Sequence, residues 1–284
     1  MSLERMGSAD DHQAELENVE IWLLLEGVYR HYGVDFRDYS PASLKRRVRE
    51  CVQREGVATI SGLQEKVLHD PGCMERLLYG ISINVTSMFR DPSFYLAFRA
   101  MVVPMLRTYP SLRIWLAGCS TGEEVYSMAI LLQEEGLSQR CRIYATDISG
   151  DVLRKAADGI YPLDAMREYT LNYQQAGGKR QFSDYYTAQY DSVMFHPSLK
   201  TNVVFALHNL VTDGSFNEFQ VIFCRNVMIY FNKELQTRVH NLIYESLGSL
   251  GVLGIGNKES LRYTARERYY EELDVRDRLY RKVR

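Results

Sequence analysis

The chain has 284 residues, 46% of them hydrophobic and 25% charged, with a formal net charge of −2. These values suit one sizeable α/β core plus a smaller appendage, and the charge balance argues against a dominant nucleic-acid surface. No apolar run approaches the roughly 20 residues of a membrane span. The opening Met1-Ser2-Leu3-Glu4-Arg5 has no secretory core, and the five cysteines (Cys51, Cys73, Cys119, Cys141, Cys224) form no C-x-x-C pair. The expectation is a cytoplasmic protein with reduced thiols and neither a disulfide framework nor a metal site.

Residues 1–12 are small and polar and are expected to be a disordered lead-in, followed by a helical domain over 13–82. In its first helix, Ala14 to about His31, Leu16, Val19, Trp22, Leu23 and Val28 recur at helical spacing. A second helix opens at Ser40-Pro41, with a capping residue and then proline at the first helical position, and runs to Gly56. Lys45, Arg46 and Arg49 share one of its faces, which taken alone is a solvated surface. Shorter helices follow near Thr59–His69 and Cys73–Tyr79. Residues 83–95, rich in Ser, Asn and Thr at their start, form a linker, and Asp91-Pro92 starts a long helix to about Arg107.

From 96 to 284 strands alternate with helices. Arg113-Ile114-Trp115-Leu116-Ala117 is a strand that empties through Gly118-Cys119-Ser120-Thr121-Gly122 into a helix beginning at Glu123-Glu124. Cys141–Thr146 is a second strand, ending in Asp147. Helices are expected at Gly150–Ala157 and near Pro162–Met166, then an antiparallel hairpin in an inserted β-subdomain of about 180–200, from Asp184–Ala188 and Ser192–His196 with Thr187-Ala188-Gln189-Tyr190 as its turn. The alternation resumes with strands at Asn202–Leu207 and Val221–Phe223, a helix at Asn232–Ser246 and a strand at Gly251–Ile255. Arg278–Val283 can pair back as an edge strand. This order implies a mostly parallel sheet with helices on both faces.

Three chemistries compete for the glycine turn. The spacing G-x-S-x-G fits a hydrolase elbow with Ser120 as nucleophile, but after the late strands only His240 is available as its base, and it falls in mid-helix. A dinucleotide fingerprint needs a glycine where Ser120 stands. The third is an adenosyl ligand without phosphate, S-adenosylmethionine. Asp147, at the end of the next strand, can accept hydrogen bonds from both ribose hydroxyls, although it also suits a helix cap. Either Glu123 or Glu124 can face the cationic methionine end, although both also suit a helix N-terminus. The loop His208-Asn209-Leu210 suits the adenine edge.

Four segments together resemble the CheR-type methyltransferases, which methylate glutamate side chains of bacterial chemoreceptors. Asn84-Val85-Thr86-Ser87-Met88-Phe89-Arg90 is similar to the family's N-x-T-x-F-F-R linker, with Met88 in place of an aromatic. Ser120–Ser127 is similar to its S-T-G-E-E-P-Y-S turn, with Val125 in place of proline. Ala145-Thr146-Asp147-Ile148 and Cys224-Arg225-Asn226-Val227-Met228-Ile229-Tyr230-Phe231 match closely. The resemblance implies a Rossmann-like S-adenosylmethionine-dependent methyltransferase domain with a small antiparallel β-subdomain, preceded by a small all-α domain. It implies that Asn84, Thr86, Arg90, Glu124, Asp147, Asn209, Leu210, Arg225 and Asn226 line the cofactor pocket, with Arg90, Arg225 and Tyr230 nearest the methyl group and the incoming glutamate.

It further implies that Lys45, Arg46, Arg47 and Arg49 dock an acidic, helical chemoreceptor domain. The product is then a glutamate methyl ester with S-adenosylhomocysteine. A monomer is expected, without nucleic-acid binding or membrane insertion. Some family members hold a receptor tether peptide through a glycine-rich loop in the β-subdomain; Asp184–His196 has no glycine, so weak or no tether binding is expected. The alternative of another class is a non-catalytic scaffold that binds the cofactor or its product.

Overall fold

The computed structural model describes residues 9–81, 86–262 and 264–283. The chain divides into two compact units, 1–83 and 84–284.

Among the described residues the first unit is four helices: α1 (Ala9–Tyr32), α2 (Pro41–Glu55), α3 (Ile60–His69) and α4 (Pro71–Ile81). α2 begins with Pro41 at its first position and ends at Gly56, whose φ of 66° is the left-handed conformation that closes a helix without a Cβ penalty. Thr59 caps α3 by accepting from Gly62 N–H. The core gathers Leu24, Leu25, Val28, Phe36, Leu44, Val48, Leu63, Val67 and Leu77. α1 is apolar on more than one face, and the stripe it buries is Ile21, Leu24, Leu25 and Val28. Of the residues that set the sequence periodicity, only Val28 is inside; Leu16, Val19, Trp22 and Leu23 are exposed. The i, i+3, i+4, i+7 spacing of Ile21–Val28 is the more regular one, and it prevails.

The second unit opens with α5 (Pro92–Ala97), a π-helical turn (Phe98–Val102) and α6 (Val103–Leu106). Then come β1 (Leu112–Ala117), α7 (Glu123–Glu134), β2 (Cys141–Asp147), α8 (Gly150–Asp158), β3 (Ile160–Pro162) and α9 (Met166–Gln175). They are followed by β4 (Tyr186–Gln189), β5 (Ser192–Phe195), β6 (Val203–Leu207), β7 (Phe219–Cys224), α10 (Lys233–Ser246), β8 (Leu247–Ile255), β9 (Tyr270–Asp274) and β10 (Leu279–Lys282). The main sheet has the order β6-β2-β1-β7-β8-β10-β9. Its first five strands are parallel, and β10 pairs antiparallel with both β8 and β9. The closing segment therefore lies between β8 and β9 rather than at the edge. β9 is too charged in sequence to announce itself as a strand.

A three-stranded antiparallel sheet, β3-β5-β4, forms the subdomain. Its hairpin turns at Tyr190-Asp191, beyond the expected Thr187–Tyr190, because Tyr186 through Gln189 all pair with β5. Tyr190 takes a φ of 52° there. The short helix expected near 162–166 is a 3-10 turn at Leu163–Ala165 that leads straight into α9, which buries Met166, Tyr169 and Tyr173.

The topology decides where a ligand belongs. From β1 the chain crosses by α7 to β2 on one side, while β7 pairs with the other side of β1. The order thus reverses between β1 and β7, and the crevice at their carboxyl ends is the binding position in an open parallel sheet. What stands there is the Gly118–Gly122 turn after β1 and Arg225-Asn226 after β7.

Candidate active site

The turn after β1 is held from below. Gly118 and Cys119 N–H both donate to Thr146 O, at 2.8 and 2.9 Å, and Trp115 Nε1 donates to the Thr146 hydroxyl. Ser120, at a φ of 50°, donates its N–H to Asp147 Oδ2 at 2.9 Å, and Ser149 N–H donates to Oδ1 at 3.1 Å. One carboxylate at the end of β2 therefore ties the turn to the following loop; burial pushes its pKa up, and the backbone donors pull against that shift. Both glycines are required. Gly122 has a φ of 94°, and a Cβ there would lie 2.8 Å from Ala156 Cβ; a Cβ on Gly118 would lie 2.6 Å from Val227 Cγ2. The second contact shows how closely the turn packs on the loop after β7.

The two glutamates at the start of α7 diverge. Glu123 is buried, accepting from the Thr121 hydroxyl at 2.7 Å and from Tyr169 OH at 3.5 Å, and burial raises its pKa. Glu124 faces Arg225, whose Nη1 donates to its Oε1 at 2.7 Å. Arg225 Nη2 donates to Asp91 Oδ2 at 2.8 Å and to the Arg90 carbonyl at 3.0 Å, and its guanidinium lies 4.1 Å from the centre of the Phe94 ring. One arginine thus joins β7, α7 and the segment before α5. The arrangement brings together Arg90, Glu124, Arg225 and, through the loop it starts, Asn226.

The approach to α5 is fixed as well. Met88 and Phe89 are fully buried, so the Met88 that replaces an aromatic still fills a core position. Phe89 N–H donates to Ser127 Oγ, which donates in turn to Glu123 O. Phe89 and Asp91 have φ of 50° and 58°, turning the chain sharply on either side of Arg90. Thr86 is half-buried at the start of this approach. Asn84 lies outside the described residues.

After β6, His208 N–H donates to Asp147 O, which places Asn209 and Leu210 beside the Asp147 loop. Asn209 Oδ1 accepts from Val211 N–H, and its own N–H donates to Asp213, so its side chain shapes the loop. Tyr230 is half-buried in the turn after Asn226. His240, on which the hydrolase elbow depends, is buried in α10 with its pKa pushed down to about 4 by burial.

Sequence reading missed the residue that carries the Arg225 loop. Glu259, just beyond β8, is buried and accepts four backbone N–H bonds, from Gly256, Asn226, Val227 and Met228, at 2.6 to 2.9 Å. Burial pushes its carboxyl up, and the four donors oppose that. Asp91 was visible only as a helix start, and Ser127 only as the last residue of the turn motif.

In the first unit, one of the four basic residues expected to dock a partner does something else. Arg47 is buried and donates to the Gly80 and Ile81 carbonyls at 3.1 and 2.9 Å, closing the end of α4. Lys45 and Arg49 both pair with Glu17 of α1, and Arg46 pairs with Glu50.

The pocket suits an adenosyl sulfonium. Asp147 stands at the carboxyl end of β2, Glu124 at the start of α7, and Arg225 Nε is a buried N–H without a hydrogen-bond partner among the described residues. Comparison with known proteins agrees. Residues 84–276 match the model described as CheR methyltransferase, SAM binding domain, and residues 20–82 match CheR methyltransferase, all-alpha domain. The Cher3 protein of Pseudomonas putida, named as a methyltransferase, is 52% identical over 93% of this chain and 97% of its own. A chemotaxis protein methyltransferase of Listeria monocytogenes is 29% identical over 82% of this chain and 87% of its own. Chemotaxis protein methyltransferase 1 of Pseudomonas aeruginosa is 28% identical over 76% and 80%.

Proposed function

Because this chain belongs to the CheR methyltransferase family and its larger unit is that family's S-adenosylmethionine-binding domain, we propose that it esterifies glutamate side chains of a chemoreceptor-like signalling protein. The acceptor is the helical cytoplasmic domain of that protein, and the products are glutamate methyl esters and S-adenosylhomocysteine. The observation that carries this reading is the Arg225 bracket, which concentrates one cation and two carboxylates at the switch point of the sheet.

When bound, S-adenosylmethionine supplies an electrophilic methyl group on a sulfonium. A glutamate side chain with a pKa of about 4.3 is ionised near neutral pH, so no general base is needed to make the nucleophile. What the chain must supply is alignment and charge. Asp147, with Asn209 and Leu210 beside it, holds the adenosine end, and Glu124 the cationic methionine end. Arg225 uses three of its five N–H donors on Glu124, Asp91 and the Arg90 carbonyl, with both N–H groups of Nη2 engaged, which leaves Nε–H and one Nη1–H. Its forked recognition of an incoming carboxylate would require one of these bonds to open. By the family resemblance, receiving the substrate carboxylate is the role proposed for Arg90, with Tyr230 as a phenolic donor and Thr86 beside them. Lys45, Arg46 and Arg49 remain the docking surface proposed for an acidic receptor helix.

The test is transfer of labelled methyl from S-adenosylmethionine to candidate receptor cytoplasmic domains, with base lability identifying an ester. Arg90→Ala and Arg225→Ala are expected to reduce transfer by more than about tenfold, the first by removing a charge-assisted contact in the transition state and the second by releasing Arg90 from its position. A base-stable product would overturn the ester, and near-normal turnover in both variants would overturn the residue roles.

A further inference from the structure

A second charged hollow lies at the opposite end of the same strands. β1 and β2 run in parallel register, with Arg113 paired to Arg142 and Trp115 to Tyr144. Partners in a parallel sheet point to the same face, so two exposed guanidiniums stand side by side on neighbouring strands. Arg140, the residue immediately before β2, adds a third. Together with Ser111, Tyr144 and Asn202 they line a cleft of about 480 Å³ at the amino ends of β1 and β2. The Gly118 turn is at the other end of β1, about 20 Å away for six residues of strand.

The charge in this cleft is not internally balanced. Like charges directly opposite each other across strands are unfavourable. Among the described residues no acidic side chain lines the cleft, and the bonds these arginines make are to neutral groups. Arg113 Nη1 donates to Asn217 Oδ1 and Arg140 Nη1 to the Tyr109 carbonyl. Surface arginines elsewhere, such as Arg30, Arg49 and Arg76, sit on carboxylates. On the same face as Arg113 and Arg142, an aromatic wall continues from Tyr144 to Phe216, whose ring centres are 6.0 Å apart; Phe216 is 43% exposed.

We propose that this cleft binds a nucleoside phosphate, with its phosphates against Arg113, Arg140 and Arg142 and its base against Tyr144 and Phe216. Planar guanidiniums suit phosphate oxygens, and several of them in one concavity focus the field on an anion. An aromatic wall next to them selects a ligand with a flat ring over a bare anion. The site shares no residue with the cofactor pocket and does not depend on the methyl-transfer reading.

The test is calorimetric titration of the full chain with ATP at low salt, in the presence of saturating S-adenosylhomocysteine so that the adenosyl pocket is blocked, with inorganic pyrophosphate as the second probe. Binding of ATP is expected, weakened by about tenfold or more in Arg113→Gln/Arg142→Gln, as charge-assisted bonds are lost. Arg142→Gln alone, which removes an exposed side chain, is expected to weaken it in the same direction with an unchanged melting temperature. Phe216→Ala should weaken ATP and leave pyrophosphate unaffected. The proposal is overturned if ATP gives no binding at about 1 mM, if S-adenosylhomocysteine abolishes the binding seen without it, or if the arginine variants bind as the parent does. Pyrophosphate binding as tightly as ATP would overturn the nucleoside assignment.

Discussion

Glu259→Ala tests whether the loop that carries Arg225 is held by one carboxylate. In the native chain its two oxygens accept from Gly256, Asn226, Val227 and Met228 N–H at 2.6 to 2.9 Å, in a position only 5% exposed. A hydrogen bond to a charged group contributes about 1.5–3 kcal/mol, so four independent bonds would sum to about 6–12 kcal/mol. They are not independent. Losing the carboxylate frees a cavity that water can enter, and part of the gain was already offset by desolvating the charge. A loss of about 3–5 kcal/mol is therefore expected, the range for breaking a buried charged network. The chain has two tryptophans, so a Trp22→Phe background leaves buried Trp115 to report urea unfolding of the larger unit alone. Glu259→Gln, nearly the same shape, should also destabilise, because its amide N–H groups would face backbone N–H groups. S-adenosylhomocysteine affinity should fall by about tenfold in both variants as Arg225 loses its position. An unfolding free energy within about 1 kcal/mol of the parent, with unchanged affinity, would refute the reasoning.

Gly122→Ala places a Cβ 2.8 Å from Ala156 Cβ at a φ of 94°; the turn must shift, and S-adenosylhomocysteine affinity measured by calorimetry should fall by more than about tenfold. In the first unit, Arg76 and then Lys66 hold the Glu55 carboxyl down to about 2 from 4.5. A depressed pKa adds stability above the unfolded value, and that contribution is lost as pH falls from about 4.5 towards 2. Acid titration of helicity should show this loss, and Glu55→Gln should flatten it; an identical acid profile would show that the pair does not matter. Arg46→Glu/Arg49→Glu should abolish receptor methylation with cofactor affinity unchanged. Full methylation by that variant would return these residues to a solvated face.

The parts of the fold legible in the sequence are those where one physical signal dominates. β1 and β2 are nearly continuous apolar runs, and the glycines at 118 and 122 are demanded by contacts closer than a Cβ permits. β9 was invisible because Tyr270–Asp274 is mostly acidic and only half-covered, held in the sheet by pairing with β10. α1 misled for the opposite reason: apolar residues on several faces make periodicity ambiguous, and packing within the first unit selected Ile21–Val28. Arg47 misled because residue type and helical position cannot separate a solvated cation from one that closes a neighbouring helix. The difference lies in the Gly80 and Ile81 carbonyls, some 33 residues further on. Glu259 had no local signal, since its four partners come from two loops separated by α10 and β8.

The same contrast clarifies what Arg225 does. A motif places an arginine after β7, and forked guanidinium chemistry suggests that it grips a carboxylate of the substrate. In the folded chain the carboxylates it grips are the protein's own, Glu124 and Asp91. Since Asp91 adjoins Arg90 and Glu124 opens α7, the bracket fixes Arg90 relative to the glycine turn. Arg225→Lys keeps the charge but has one nitrogen for three acceptors, so it cannot span both carboxylates. If Arg225 acts through Arg90, the lysine variant should lose methyl transfer almost as fully as Arg225→Ala, and the double variant with Arg90→Ala should lose little more than Arg90→Ala alone. Additive losses would assign Arg225 its own contact with the reacting groups.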